Sequence, residues 1–182
     1  MPGTSFFHQA RNNAWSNHRL FGVCQKLTPR ELNAKRTRFT PSILEALNQT
    51  LTVDSYYLDA LLDGGHGQGD LYSGRMTPFS DIAGLAAAQR DADHKLMAFC
   101  DQLGEKDAMR DVELERRNNV VTHETVADIL SHLFVYQTHQ RGQVHILLAT
   151  TTQSPPPMDD YHLEYDAPFP AIDFTLLGGK GA

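Results

Sequence analysis

Four long segments of the sequence carry apolar residues at intervals of three and four, and this repeated pattern restricts the possible folds more than any other feature. Side chains with this spacing lie on one face of an α-helix. The pattern predicts helices over about residues 5–25, 41–62 and 80–103, and a last helix from near Thr122–Thr125 to about Thr151. Helices of this length can bury their apolar faces together, so we predict an all-α fold, a four-helix bundle.

The segments between the predicted helices carry signals of their own. Thr28-Pro29-Arg30-Glu31 is a capping box with proline at the first helical position, which predicts a short helical turn. Residues 63–76 contain five of the 13 glycines, which predicts a loop. Apolar residues flank an Asn-rich turn between Asp111 and Thr122, so we predict a small irregular or hairpin insertion before the last helix. The run Pro155–Pro157 ends that helix.

The length and composition favour one domain. A chain of 182 residues that is 41% apolar and 21% charged resembles an ordinary globular protein. We predict a single domain over residues 1–182, with a core over about 5–152 and an irregular tail over about 153–182. No apolar run approaches the ~20 residues of a membrane span, and the first residues lack the pattern of an export signal. Since the two cysteines, Cys24 and Cys100, are too few for a disulfide framework, we expect a reduced, cytoplasmic protein without a membrane partner.

The charge is distributed unevenly along the chain. Residues 1–50 carry a net charge of +5 and residues 51–182 a net charge of −11. The basic run Lys35-Arg36-Thr37-Arg38 therefore allows two interpretations, a nucleic-acid surface or a solvated connection between two helices. We favour the second, because the run is short and the acidic remainder of the chain would repel phosphates.

Polar residues enter the last predicted helix on its apolar side. Gln137, Gln140 and Arg141 continue the stripe set by Leu130 and Leu133, so some of them must point into the bundle. Buried polar groups need partners. They form either a polar pocket or a set of groups that bond only to each other, and the sequence leaves both possibilities open. Gly142, within the same helix, predicts close packing against another helix.

The nine histidines raise the question of a metal site. His132 and His139 lie on one face of the last helix, but seven residues separate them by ~10.5 Å along the axis. Both cannot bind one ion through bonds of ~2.1 Å. The spacing of the histidines therefore predicts no metal site.

Three sequence blocks together resemble the DinB family of damage-inducible bacterial proteins. The blocks are Asn13-Ala14-Trp15-Ser16-Asn17-His18-Arg19-Leu20, the segment Ile43–Asp54 with Leu47-Asn48-Gln49, and His132-Leu133-Phe134 followed by Gln137–Gln143. They occur in the order and spacing of the family, and the similarity runs from about residue 8 to residue 160. The resemblance implies a four-helix bundle, commonly dimeric, that is related to metal-dependent thiol transferases using mycothiol or bacillithiol.

The chain departs from the family pattern at the metal ligands. The resemblance places three ligand histidines at positions that hold Gln49, Tyr136 and Gln140 in this chain. Neutral amides and a phenol are poor ligands for zinc or nickel. We therefore expect no cofactor. If the protein does bind one, we expect a divalent metal such as zinc or nickel. His139 is the least improbable ligand, although it lies one residue and ~100° around the helix from the family position.

We accordingly predict a pocket lined by Gln49, Tyr136 and Gln140 and supported by Asp54, His139 and Arg141. Asp54 and Arg141 form either a charged pair beside this pocket or a simple structural bridge.

The residues described above are compatible with three functions. The first is a small-ligand-binding or interaction module that has lost the family metal site. The second is a low-molecular-weight-thiol S-transferase, metal-dependent or with the charge of Arg141 in place of a metal, since a thiol must be deprotonated to react. The third is a DNA-damage-response protein with weak nucleic-acid binding. We expect a homodimer with a small-molecule or thiol ligand, and no catalytic residue can be assigned.

Overall fold

The computed structural model describes residues 2–38, 40–62, 79–116 and 120–158, with side chains from Ser5 onward. This part of the chain is mostly helical, with one small antiparallel sheet. The elements are α1 (Pro2–Cys24), α2 (Pro29–Asn33), α3 (Ile43–Leu62), α4 (Ile82–Asp101), α5 (Glu105–Ala108), β1 (Asp111–Arg116), β2 (Val120–Thr125) and α6 (Val126–Leu148). The loop predicted over 63–76, and the tail beyond residue 158, lie outside the described residues.

The four predicted long helices, the short helical turn and the hairpin are confirmed, and the differences lie at their ends. α3 begins at Ile43 because Ser42 caps it: Ser42 N donates to Glu45 Oε2 (2.8 Å) and Glu45 N donates to Ser42 Oγ (3.2 Å). α6 begins only at Val126, because the residues before it belong to β2. The four-residue helix α5 was not predicted, and Gly104 is its N-cap residue.

The predicted capping box at α2 joins two distant parts of the chain. Thr28 N donates to Glu31 Oε2 (3.0 Å), and Glu31 N donates to Thr28 Oγ1 (3.3 Å). Thr152 N, just beyond α6, donates to the other carboxylate oxygen of Glu31 (3.0 Å). Bonds from the Thr28 and Thr152 backbone lower the pKa of Glu31 to about 2. The carboxylate of Glu31 therefore connects the start of α2 to the end of α6.

The four long helices share one hydrophobic core. α1 packs against α4 and α6, and α3 packs against the same two helices. The hairpin covers part of α3 with the buried side chains of Val112 and Leu114, and Tyr56 of α3 donates its hydroxyl to the carbonyl of Glu115 (2.9 Å). Among the described helices, none has the length and apolar character needed to cross a membrane.

Candidate functional site

A layer of polar side chains lies inside this core, and all four long helices contribute to it. We call it the buried polar cluster. Its members are less than 9% exposed: Asn13 and Asn17 on α1, Asp54 on α3, Gln89 and Asp93 on α4, and Gln137 and Arg141 on α6. Polar groups removed from water need hydrogen-bond partners, so these residues have to be arranged as one unit.

Asp93 receives most of the hydrogen bonds in the cluster. The side-chain amide of Asn17 donates to both of its carboxylate oxygens (2.9 and 3.2 Å), and that of Asn13 donates to Oδ1 (3.3 Å). Gln89 Nε2 also donates to Asp93 Oδ1 (3.3 Å), and the same nitrogen donates to Asp54 Oδ2 (2.7 Å). One amide thus joins the two buried carboxylates.

Arg141 supplies a positive charge to the cluster. Its Nη1 donates to the side-chain oxygens of Asn13, of Asn17 (3.2 Å) and of Gln137 (3.3 Å). Arg141 and Asp54 interact through their charges, but no hydrogen bond joins them in the described structure, so the direct pair that we considered is not formed. The guanidinium reaches the carboxylates through amide side chains, because these fill the space between α1 and α6.

Burial shifts the pKa values of all three charged groups in the cluster. It raises the pKa of Asp54 to about 6 and, together with the nearby charge of Asp54, raises the pKa of Asp93 to about 7. Burial also lowers the pKa of Arg141 to about 10, which leaves the guanidinium charged at neutral pH. One buried cation therefore faces two carboxyl groups that hold their protons more strongly than exposed ones do.

Four buried polar atoms have no hydrogen-bond partner within the described part of the chain: Asp54 Oδ1, Gln89 Oε1, Gln137 Nε2 and the hydroxyl of Tyr136. The charge of Asp54 helps to raise the pKa of Tyr136 to about 12, after burial, which is the main cause. The Tyr136 hydroxyl therefore lies within the electrostatic influence of the Asp54 carboxyl.

The three positions to which the resemblance assigns metal ligands lie on α3 and α6. Gln49 and Tyr136 are half-buried, and Gln140, one turn after Tyr136, is 8% exposed. Among the described residues, the side chains of Gln49 and Gln140 have no hydrogen-bond partner. These two side chains are not members of the buried polar cluster, and their joint role in a pocket stays a prediction.

Tyr136 belongs to a row of three aromatic rings. Its ring stacks on that of His132 with 6.4 Å between the centroids, and His132 makes an edge contact with Tyr57 at 5.6 Å. The hydroxyl of Tyr57 accepts a hydrogen bond from Arg116 Nη1 of β1 (3.4 Å). The hairpin thus brings a guanidinium to the side of Tyr57, which the sequence pattern did not indicate.

His139 lies apart from these groups. It is exposed on α6, and its Nε2 is 2.7 Å from Nε2 of Gln143, one turn later. Gly142 is exposed as well, and a β-carbon at this position would meet nothing within 4 Å among the described residues. The prediction that Gly142 packs closely against another helix of the chain is therefore wrong for the part that the structure describes.

The residues present do not fit the metal of the family. Two amides and a phenol stand at the three ligand positions, and these are poor donors for zinc or nickel. Over the described ranges, no group of three or more His, Cys, Asp or Glu side chains is arranged to hold an ion. Burial raises the pKa of the Cys24 and Cys100 thiols to about 12, so neither provides a thiolate.

Two of the seven residues of the buried polar cluster, Gln137 and Arg141, were predicted from the sequence to point into the core. The burial of Gln137, Gln140 and Arg141 is confirmed. Gln89 and Asp93 were missed, although both lie one or two turns from Leu85 and Leu96 on the apolar side of a predicted helix. That spacing was the available signal.

The basic run between α2 and α3 has structural partners. Arg36 donates to Thr150 Oγ1 (2.5 Å) and to the carbonyls of Ala34 (2.9 Å) and Glu31 (3.0 Å). Lys35 lies 3.4 Å from a carboxylate oxygen of Glu45. These contacts favour the interpretation of this run as a connection between helices over that of a nucleic-acid surface.

The structure defines a class of protein: a mostly helical protein with a polar layer through its core. Each of the three sequence blocks contributes residues to this layer, and α4 adds Gln89 and Asp93. A family model described as the DinB family matches residues 1–169. The chain therefore belongs to the DinB family. No curated protein matches it.

Proposed function

We propose that this chain is a DinB-family four-helix bundle that works without the metal of the family and binds a small polar ligand at Gln49, Tyr136 and Gln140. One observation carries the proposal. The three positions hold side chains that are poor metal ligands, and each of these side chains lacks a hydrogen-bond partner in the described part of the chain.

The chemistry of these groups suits a neutral polar ligand. Two carboxamides and a phenol both donate and accept hydrogen bonds, and none of them carries a charge at neutral pH. The ring of His132 stacks on that of Tyr136 and makes an edge contact with Tyr57, so apolar aromatic surface adjoins the Tyr136 ring. Pockets of this kind bind through apolar contact and use a few polar groups for orientation.

The structure gives less support to the thiol-transferase alternative. That reaction needs a positive charge beside the thiol of the co-substrate. Arg141 is buried, and its Nη1 already donates to three amide oxygens of the cluster. The hydrogen bonds of this guanidinium are therefore made within the fold, and it is not placed to activate a bound thiol.

Metal analysis tests the proposal that the protein works without the metal of the family. We expect the untagged protein to contain far less than one equivalent of zinc or nickel, measured by elemental mass spectrometry. The triple variant Gln49→His/Tyr136→His/Gln140→His should bind about one equivalent, because three imidazoles complete a zinc site. As a control, three histidines placed at exposed Gln25, Arg90 and Gln102, which lie outside the proposed pocket, should not bind one equivalent. Stoichiometric metal in the native protein, or no metal in the triple variant, would contradict the proposal.

Ligand-binding measurements test the proposal that Gln49, Tyr136 and Gln140 bind a small polar ligand. In ¹⁵N-correlated NMR spectra with a panel of neutral amides, alcohols and nucleosides, we expect the side-chain amide signals of Gln49 and Gln140 to shift together. Tyr136→Phe should weaken that binding about 10-fold, since one hydrogen bond to a ligand contributes roughly 1–1.5 kcal/mol. Gln143→Leu, on the neighbouring surface of α6, is the matched control. Shifts that leave both glutamines unaffected would place the ligand elsewhere.

A further inference from the structure

A cleft between α1 and α4 reaches from the surface of the protein to the buried polar cluster. Its volume is about 50 Å³, which is room for roughly four water-sized groups. Exposed Gln25 and Arg90 lie at its outer end, and Asn17, Gln89 and Asp93 of the cluster lie at its inner end. The cleft therefore connects solvent to buried polar groups at a place that the ligand site proposed on α3 and α6 does not use.

The inner end of the cleft contains hydrogen-bond acceptors. Gln89 is 1% exposed, and its amide nitrogen is directed to Asp54 on α3 (2.7 Å). The other branch of this amide, Oε1, is a buried acceptor without a partner among the described residues. Beside it, Asp93 Oδ2 accepts one hydrogen bond within the described chain, from Asn17 at 3.2 Å. Because a carboxylate oxygen can accept more than one hydrogen bond, the inner end suits a ligand group that donates hydrogen bonds.

The charges of the buried polar cluster are not balanced. Asp54 and Asp93 carry two negative charges when both are ionised, and Arg141 supplies one positive charge. Burial and the nearby charge of Asp54 raise the pKa of Asp93 to about 7. A proton on Asp93 removes the imbalance, and a cation bound in the cleft would remove it as well.

We propose that this cleft binds a small primary amine as its ammonium ion, which donates hydrogen bonds to the Asp93 carboxylate and to Gln89 Oε1. An ammonium group supplies the positive charge and the donors together. Apolar surface of Ala14, Phe21 and Ala86 lines the cleft and suits a short alkyl chain. A metal ion fits less well, because the described residues include no group of three or more His, Cys, Asp or Glu side chains arranged to hold one.

Gly22 keeps the outer part of the cleft open. It lines the cleft two residues before the end of α1, although glycine is unfavourable inside a helix relative to alanine. A β-carbon at this position would meet nothing within 4 Å among the described residues, so the packing of the chain does not require a glycine there. A larger side chain at position 22 therefore fits the folded chain and narrows the cleft.

Titration with propylammonium chloride at pH 8, followed in ¹⁵N-correlated NMR spectra of the full chain, tests the site. The side-chain amide signals of Asn17 and Gln89 should shift together, with a dissociation constant in the millimolar range, because a ligand of so few heavy atoms gains little binding free energy. Uncharged 1-propanol and potassium chloride should shift neither signal, since the first lacks the charge and the second lacks the donors. Equal shifts with propanol or potassium, or no shift with propylammonium at about 100 mM, would overturn the proposal.

Two variants test the inner and the outer end of the cleft. Asp93→Asn should weaken propylammonium binding at least 10-fold, because asparagine has no charge to pair with the ammonium group. Asp91→Asn, an exposed aspartate on the same helix, is its control. Gly22→Leu should also weaken binding at least 10-fold while the melting temperature is maintained, and Gly142→Leu, a helical glycine with open space on α6, is the matched control. Wild-type affinity in Asp93→Asn or in Gly22→Leu would overturn the proposal.

The affinity should also depend on pH, because a proton competes with the ammonium ion for Asp93. Asp54 on α3 and Arg141 on α6 act on Asp93 through their charges, and His18 of α1 and Arg90 of α4 line the cleft. Arg90 is exposed, so water screens its charge. Between pH 8 and pH 5.5 we expect the dissociation constant for propylammonium to rise at least 10-fold. His18→Gln should show the same rise, which would exclude protonation of His18 as the cause. An affinity that is equal at both pH values would contradict binding at the Asp93 carboxylate.

Discussion

Arg141→Met should lower the free energy of unfolding by about 3–5 kcal/mol at pH 8, which is the expected cost of removing one partner from a buried set of charges. Methionine retains most of the side-chain length, so the loss reports charge and hydrogen bonding more than volume. Without the guanidinium, three amide oxygens lose their donor, and the carboxylates of Asp54 and Asp93 lose the buried cation that faces them. Urea denaturation followed by circular dichroism measures the change.

Two comparisons separate the charge of Arg141 from its packing. The loss should be smaller at pH 5, where Asp54 and Asp93 are protonated, and the double variant Arg141→Met/Asp93→Asn should recover part of the stability at pH 8. An equal loss at both pH values, with no recovery in the double variant, would show that Arg141 acts through packing and its hydrogen bonds to the amides, and not through its charge on the carboxylates. If Arg141→Met does not fold, Asp93→Asn alone still tests the charge balance.

The stability of the native protein should fall as the pH rises from about 4 to about 8. The carboxyls of Asp54 and Asp93 have pKa values of about 6 and about 7 in the folded protein, against about 3.9 in an unfolded chain. The folded state therefore binds more protons within this range, and its stability decreases with rising pH. The contribution of the two groups is complete below pH ~4 and is lost once the pH passes ~7. Its total is on the order of several kcal/mol.

Asp93→Asn should remove a large part of this pH dependence. Asparagine has the shape of aspartate and can accept the hydrogen bonds of Asn13 and Asn17 through its oxygen. At pH 8 we expect the variant to be roughly 1–3 kcal/mol more stable than the wild type, and at pH 5 to show no such gain. Asp91→Asn, an exposed aspartate on the same helix, is the control and should leave the profile unchanged. A variant that is destabilised by the same amount at both pH values would contradict this expectation. Urea titrations at each pH provide the measurement.

Sequence analysis predicted the elements better than the contacts between them. The period of the apolar residues located the long helices, and the capping box at Thr28 located α2, because both signals are local. The predicted start of α3, at about residue 41, lies two residues before the observed start, because Ser42 caps the helix at Ile43.

The candidate site was predicted only in part, because many of its contacts join residues that are far apart in the sequence. The burial of Gln137 and Arg141 follows from the stripe that they share with Leu133. Their partners do not follow from it, because Asn13 and Asn17 are more than 100 residues away and are brought near only by the packing of α1 against α6. Arg116, which donates to Tyr57, comes from a strand whose position over α3 has no periodic signal.

The layer of polar side chains also sets an order of events for a chain that is being synthesised. Asn17 finds its acceptor and donor at residues 93 and 141, which leave the ribosome 76 and 124 residues later. At 5–20 residues per second, the second interval lasts about 6–25 s. During this time the apolar face of α1 is exposed beside amides that have no partner, so the nascent chain should depend on chaperone protection until α6 has emerged.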